Sequence, residues 1–346
     1  MAHKLESQIK VLQGKTIAIV YMFENEDAPG LGHYWIWKSD IISRWMNATQ
    51  EIGCLPFILD IRTFIQKASF KTLPQIDYVV NLNCGCRELS TLSLVPSVCS
   101  FLAIPCIPCN SVAIVMSENK LISNLLAVAK GINVPMTLDT TDENGIFRPL
   151  SLGSSIGVRK GYCEDVNEGT YQEFIPGYDI TIPIVYNPII DDIDILPPLL
   201  YLPKSKNPNW FYGEEEKAKE DGYTLHHFTT VENNLKEKII DFARIFPIRT
   251  FGRIDARLKF EGSELSCDVV NRSLGISDLF FIEINSMPTI EYGDFAQFET
   301  AFNAVLSLEN YTVFNCVNAY INTISKPTIH GFLLTCSMIA LSKAKY

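Results

Sequence analysis

Residues 252–258 read GRIDARL and residues 281–288 read FIEINSMP. Each reads as a β-strand, and on a strand residues two apart share a face. Arg253 and Asp255 then point the same way on the first strand, as do Glu283 and Asn285 on the second. Both runs are otherwise largely apolar. A carboxylate inside an apolar layer needs a partner, because an unpaired buried charge is too costly. Salt bridges at a sheet edge would supply one. So would a hard cation, since Asp255, Glu283 and Asn285 offer the oxygen donors that suit magnesium held jointly with substrate phosphates. Upstream, residues 152–157 read LGSSIG. Gly153 and Gly157 allow a tight turn, and Ser154 and Ser155 add hydroxyls. Such a loop presents N–H groups to phosphate oxygens, or is simply a hairpin turn.

Around these motifs the pattern changes along the chain. Residues 16–21 (TIAIVY), 57–61 and 78–82 read as short buried strands, with a helix over 35–52. Alternating strands and helices predict a parallel α/β layer over the first hundred residues. The Pro-punctuated IPCIPCNS (104–111) is a plausible domain boundary. A helix is expected over 118–130, capped by Ser117 and closed by Gly131. Short strand-like pieces follow at 133–138, 145–149 and 171–186, then a polar loop at 204–222. A helix over 231–245, strands at 251–260 and 278–286, and a helical region over 299–324 complete the reading.

The chain of 346 residues has 29 basic and 39 acidic side chains, a net charge of −10, with 47% apolar residues. That surplus disfavours a nucleic-acid binder, which needs a basic face. It leaves an anionic ligand open if a few cations converge. The ten cysteines are not spaced as a secreted framework. The N-terminus has no signal-peptide core, so a reducing cytoplasmic location is expected. Residues 89–117 carry no charge, but their prolines suit a buried helix and turn better than a membrane span. The apolar run 331–341 is too short to cross a bilayer. Cys84, Cys86, Cys106 and Cys109 could in principle hold zinc; packed free thiols fit their apolar, proline-rich flanks better. His226 and His227 are adjacent and would face opposite ways on a strand.

Taken in order, these segments resemble the ATP-grasp superfamily, and within it the D-alanine–D-alanine ligases. The resemblance runs over roughly residues 104–300, through SENKLISNLLAVAKGINVP, FRPLSLGSSIGV, QEFIPGYDITI, NWFYGEEEKAK, GRIDARL and FIEINSMP. It implies an α/β (α+β) ATP-grasp fold. Residues 1–110 would form an N-terminal parallel α/β domain. Residues 111–187 would form a central subdomain, and 188–346 a C-terminal subdomain carrying the lid loop and metal site. ATP would lie between the two α+β subdomains.

The same resemblance implies roles. Lys120 would approach the nucleotide phosphates, and Arg148 stands where the family has a lysine. Ser154, Ser155 and Ile156 would cover the phosphates. Gln172, Glu173 and Ile175 would form the adenine hinge, Asp179 would bind the ribose, and Lys217 would be the lid lysine. Arg253 would stabilise charge on the reacting carbonyl, with Lys217 and Ser155 assisting. Asp255, Glu283 and Asn285 would hold two Mg2+ ions, or Mn2+ in their place.

The amino-acid pockets depart from the family. The stretch after the first strand, VYMFENEDAPGLGHYWIW, is acidic and aromatic (Glu24, Glu26, Asp27, Tyr34, Trp35, Trp37), and MPTIEYGDF replaces the family's step after the metal strand. The expected activity is therefore an ATP-dependent ligase joining the amine of an amino acid to a phosphate-activated acceptor. One candidate is the mycosporine-like amino acid pathway enzyme that condenses mycosporine-glycine with serine or threonine. The alternatives are a D-alanine–D-alanine ligase of cell-wall synthesis and a nucleotide-binding regulatory protein that has lost catalysis. Expected partners are small molecules, neither nucleic acid nor membrane, with a homodimer left open.

Overall fold

The structure, a computed structural model, describes residues 2–22, 39–82, 91–139, 143–151, 153, 155–161, 169–217, 219, 221–291 and 296–343. Three sheets organise them. The first is parallel, in the order β2-β1-β3-β4, from β1 (Thr16–Tyr21), β2 (Leu55–Asp60), β3 (Tyr78–Leu82) and β4 (Cys106–Ile107). Its central strands TIAIVY and YVVNL are almost wholly buried, which is why they read as unbroken apolar runs. Helices α1 (Ala2–Leu12), α2 (Ser39–Glu51), α3 (Ile61–Ser69) and α4 (Leu94–Phe101) belong to this layer. Phe64, Val95 and Cys99 fill one side of the sheet, and Trp45 packs on the other. Asp60 ends β2 and caps α3 by accepting from the Arg62 amide.

One expected helix is two. Helix α5 (Ser111–Glu118) breaks before α6 (Lys120–Ala129), and Asn119, not Ser117, caps the latter by accepting from the Ile122 amide. Ser117 sits inside the last turn of α5, where its hydroxyl meets that of Ser286 at 2.8 Å. Gly131 has φ +66° and closes α6 as expected.

The second sheet is antiparallel, ordered β6-β5-β7, from β5 (Gly145–Pro149), β6 (Arg159–Lys160) and β7 (Gly169–Glu173). The third is β11-β10-β8-β12-β13, with β9 added to β8. Its strands are β8 (Gly177–Asn187), β9 (Asp192–Ile195), β10 (Leu199–Pro203), β11 (Tyr223–His227), β12 (Phe251–Lys259) and β13 (Leu279–Asn285). The expected run 171–186 is thus divided between two sheets, broken at Gly177. Residues 133–138 form no strand, only single bridges from Asn133 and Thr137.

The third sheet is two-sided. Tyr178, Ile180, Ile182, Ile254, Ala256, Phe281 and Ile284 turn into a core with α6 and α8 (Asn233–Ile245). Asp179, Thr181, Arg253, Asp255 and Arg257 turn the other way, since they alternate with the core residues. Short α7 (Glu214–Lys217) lies in the 204–222 loop. Helices α9 (Gln297–Val305), α10 (Phe314–Thr323) and α11 (Ile329–Lys343) pack on the N-terminal layer. Helix α11 is buried nearly all round, which explains its uninterrupted hydrophobicity. No single described helix is long and apolar enough to cross a membrane.

Candidate active site

The register of the third sheet assembles the site. On one side of β12, Arg257 lies opposite Asp179 and Asp255 opposite Thr181; on the other side, Asp255 faces Glu283 and Arg253 faces Asn285. The β12–β13 pairing slips after Asp255: Ala256 pairs with Phe281, so Ile282 has no opposite number. This bulge lets Phe281 and Ile284 both reach the core while Ile282 and Glu283 line the cleft.

Asp255 is held on all sides. Arg253 donates through Nε to Oδ1 (3.0 Å) and through Nη2 to Oδ2 (2.9 Å). Thr181 Oγ1 donates to Oδ1 (2.8 Å), and Asn285 Nδ2 to Oδ2 (2.9 Å). Burial and the nearby Glu283 charge outweigh these partners and raise its pKa. Glu283 behaves oppositely. Burial would raise its pKa, but Lys120, Arg148, Lys217 and Arg253 surround it and hold it below the usual carboxylate range. Arg148 Nη2 lies 3.3 Å and Lys120 Nζ 3.8 Å from Glu283 Oε2. Burial lowers the pKa of Lys120 and of Lys217, while Glu283 pulls each back up.

A cleft of about 660 Å³, open to solvent, lies against these groups. Lys120, Arg148, Ser155, Gln172, Glu173, Ile175, Asp179 and Glu283, all singled out from sequence, line it. They come from α6, β5, the turn after it, β7, the 174–176 connection, β8 and β13. Arg253, Asp255 and Asn285 adjoin them on the sheet, and Lys217 reaches Ser155 Oγ at 3.0 Å. Ile156 is not among the lining residues; its amide donates to the Gly153 carbonyl. Ser154 lies outside the described residues, as do Cys84, Cys86, Glu24, Glu26, Asp27, Tyr34, Trp35 and Trp37.

Two features point to a ligand. Gln172 donates through Nε2 to the Pro135 carbonyl (3.0 Å), but its buried Oε1 has no partner. A buried acceptor left open beside a cleft fits a ligand N–H. Second, five cations, Lys120, Arg148, Lys217, Arg253 and Arg257, gather at the cleft beside Glu173, Asp179, Asp255 and Glu283, within a chain of net charge −10. Such a local concentration of cations suits an anion.

The loop over the cleft is latched. Ser155, at φ +62°, donates to the Tyr212 carbonyl (3.0 Å), and the Tyr212 amide donates to Asp179 Oδ2 (2.7 Å). Arg257 lay unread within GRIDARL. It is 4% exposed and ties two segments together. It donates to the carbonyls of Ile175 and Gly177 at the hinge and of Trp210 in the lid, and pairs with Asp179 Oδ2 at 3.0 Å. The i, i+2, i+4 spacing of Arg253, Asp255 and Arg257 was its signal, since all three share one strand face. Glu118 was also missed. Burial raises its pKa to about 7, with Lys120 opposing the rise and Glu283 adding to it.

The donor set fits a hard divalent cation. Asp255 and Glu283 supply cross-strand carboxylates, and Asn285 turns its nitrogen to Asp255, leaving its amide oxygen for another partner. Zinc at the cysteines finds no support: Cys106 and Cys109 are buried free thiols, and burial raises the Cys109 pKa to about 12. Among the described residues no three His, Cys, Asp or Glu side chains form a metal cluster.

No protein-family model and no curated protein matches the sequence. Solved structures do match by shape. A D-alanyl-alanine synthetase A from Vibrio cholerae superposes with a TM-score of 0.60 at 17% identity, over 96% of this chain and 99% of that one. A D-alanine–D-alanine ligase from Bacillus anthracis, complexed with ATP, gives 0.56 at 14%, over 90% and 97%. The chain has the ATP-grasp fold. The VanG D-Ala:D-Ser ligase from Enterococcus faecalis shares the ATP-grasp architecture more distantly, at a TM-score of 0.50 and 13% identity, over 80% of this chain and 91% of that one.

Proposed function

We propose that the cleft binds ATP and that the protein is an ATP-dependent carbon–nitrogen ligase. The observation that carries the reading is the convergence of Lys120, Arg148, Ser155, Gln172, Asp179 and Glu283, from distant segments, on one cleft. Gln172 Oε1 accepts from the amino group of the base. Asp179 keeps Oδ1 for the ribose hydroxyls, its Oδ2 being occupied by Tyr212 and Arg257. Lys120, Arg148 and Lys217 face the phosphates, and Ser155 fixes the loop over them. Arg253 clamps Asp255 through Nε and Nη2, which leaves Nη1 to donate to an oxyanion as the amine attacks. Asp255, Glu283 and Asn285 hold magnesium, which when bound supplies charge neutralisation for the transferring phosphoryl group. The chemistry is phosphoryl transfer to an acceptor oxygen, amine attack at the activated carbon, and departure of phosphate. The closed lid keeps water from the activated acceptor.

We further propose that the acceptor and amine differ from two D-alanines, with mycosporine-glycine and serine or threonine as the leading pair. Its support is the altered sequence at 20–37 and 287–295, of which 23–37 and 292–295 lie outside the described residues. The names of the matching structures favour the D-alanine reading instead. The complete set of charged groups around Glu283 speaks against loss of catalysis. Magnesium-dependent phosphate release from ATP, screened over the twenty L-amino acids and D-alanine, with and without mycosporine-glycine, separates these readings. Release requiring mycosporine-glycine plus serine or threonine supports the leading pair. Release with D-alanine alone replaces it.

A further inference from the structure

Strand β13 ends the third sheet, with β12 as its neighbour on one side. Its bulge leaves Ile282 with no residue opposite on β12. A bulge on a terminal strand re-aims a side chain at the expense of the ladder that would hold it. Here the re-aimed side chain is Glu283. Two contacts from outside the sheet pin the bulge. The Phe281 amide donates to the Asn133 carbonyl at 2.8 Å. The Ile282 carbonyl accepts from Arg148 Nη1, also at 2.8 Å. The same guanidinium reaches Glu283 Oε2 through Nη2 at 3.3 Å. Arg148 is buried and comes from β5, a strand of the second sheet. One planar fork thus grips both the main chain of the bulge and the side chain that the bulge aims.

We propose that Arg148 is a positioning residue for the metal carboxylate. Its fork fixes the β13 bulge and so sets where Glu283 presents oxygen to a divalent cation. The proposal deepens the ligase reading and rests on it for the cation. The two carboxylates differ in what holds them. Asp255 is held from within its own sheet, by Thr181, Arg253 and Asn285. Glu283 meets Arg148 of β5 and Lys120 of α6, so its aim depends on elements outside that sheet. An ion pair alone would let the strand slide beneath it; the bond to the Ile282 carbonyl does not. A lysine would bring the same charge, but its ammonium is a point on a flexible stem, without a fork that meets a carbonyl and a carboxylate side by side.

The test is Arg148→Lys in the full chain, read in two ways. Hydrogen exchange is measured first, without nucleotide or metal. The peptide covering 279–285 should exchange at least about 10-fold faster than in the wild type, as expected for the loss of one bond from a charged donor. Helix α8, packed on the opposite face of the sheet, should keep its rate. Binding of AMP-PNP is then followed by calorimetry over a range of Mg2+ concentrations. The metal-free affinity should stay near that of the wild type, because lysine keeps the charge. The Mg2+ concentration giving half of the metal-dependent tightening should rise about 10–100-fold, the range for groups that support a metal ligand. Glu283→Gln keeps the carbonyl bond and should leave exchange of 279–285 at the wild-type rate; it decides if Arg148→Lys fails to fold. Unchanged exchange in Arg148→Lys overturns the proposal. So does faster exchange in Glu283→Gln, or an unchanged Mg2+ requirement in Arg148→Lys. A wild type that binds no AMP-PNP removes the ligase reading instead, and exchange in the two variants still decides whether Arg148 fixes the bulge.

Discussion

At the residue scale, strand periodicity fixes which side chains share a face, while Lys120, Arg148, Asp179 and Lys217 came from the family resemblance alone. Arg253 with Asp255, and Glu283 with Asn285, needed only that rule. What periodicity could not give was the pairing of charges, which depends on register. Glu283 is ringed by four cations from four other elements, and no spacing within the chain announces that. Glu283→Gln should lower magnesium-dependent phosphate release by more than the roughly 10–100-fold typical of groups that only support a metal ligand. Unchanged turnover in that variant would remove Glu283 from the metal set. Arg257 makes a separate prediction. Arg257→Met leaves several carbonyls and Asp179 without their buried partner, so unfolding free energy should fall by about 3–5 kcal/mol. The KM for ATP should rise as hinge and lid lose their shared anchor. Denaturant melts and an ATP titration measure the two effects, and a rise in neither would show that the anchor is dispensable.

At the element scale, the sequence located most strands and helices but missed three breaks, each with a local cause. Asn119 starts a new helix one residue after α5 ends, because its side chain caps the Ile122 amide. The β13 bulge is silent in sequence: FIEIN alternates poorly, and only pairing with β12 shows that Ile282 is skipped. Gly177 splits β7 from β8 at φ +138°, and a Cβ there would stand 2.0 Å from the Leu258 carbonyl oxygen. Gly177→Ala should therefore cost about 3 kcal/mol or more, read by urea denaturation. A loss below about 1 kcal/mol would mean that the hinge backbone can move aside. Helix α11 supplies a pH test. His330 is buried against Trp45, with Nε2 3.2 Å from the Ile290 carbonyl oxygen, and burial lowers its pKa to about 4. The unfolded chain takes up this proton below about pH 6.5 and the folded chain does not. Stability from this group is thus full above pH 6.5 and declines as pH falls toward 4. Between pH 8 and pH 5 the wild type should lose about 2 kcal/mol more than His330→Gln. Parallel losses in the two proteins would show that His330 titrates normally.

At the scale of the whole molecule, the order of segments gave the ATP-grasp architecture, and shape comparison supports it across nearly the full chain despite identities of 13–17%. One expected boundary does not follow the sheets: β8, inside the expected central unit 111–187, is hydrogen-bonded into the third sheet with the strands that follow it. Strand pairing is set by long-range register, which local composition does not encode. The acidic chain nonetheless gathers cations at one cleft, and everything proposed about its chemistry depends on what that cleft holds. Calorimetric titration with ATP, with and without magnesium, tests this most directly. The account predicts saturable binding within about 1 µM to 1 mM, the usual range for enzyme substrates. Binding should weaken when magnesium is removed, and at least about 10-fold in Lys120→Met, the loss of one charge-assisted phosphate contact. Absence of saturable binding at millimolar ATP with magnesium, by a folded wild-type protein, would contradict it.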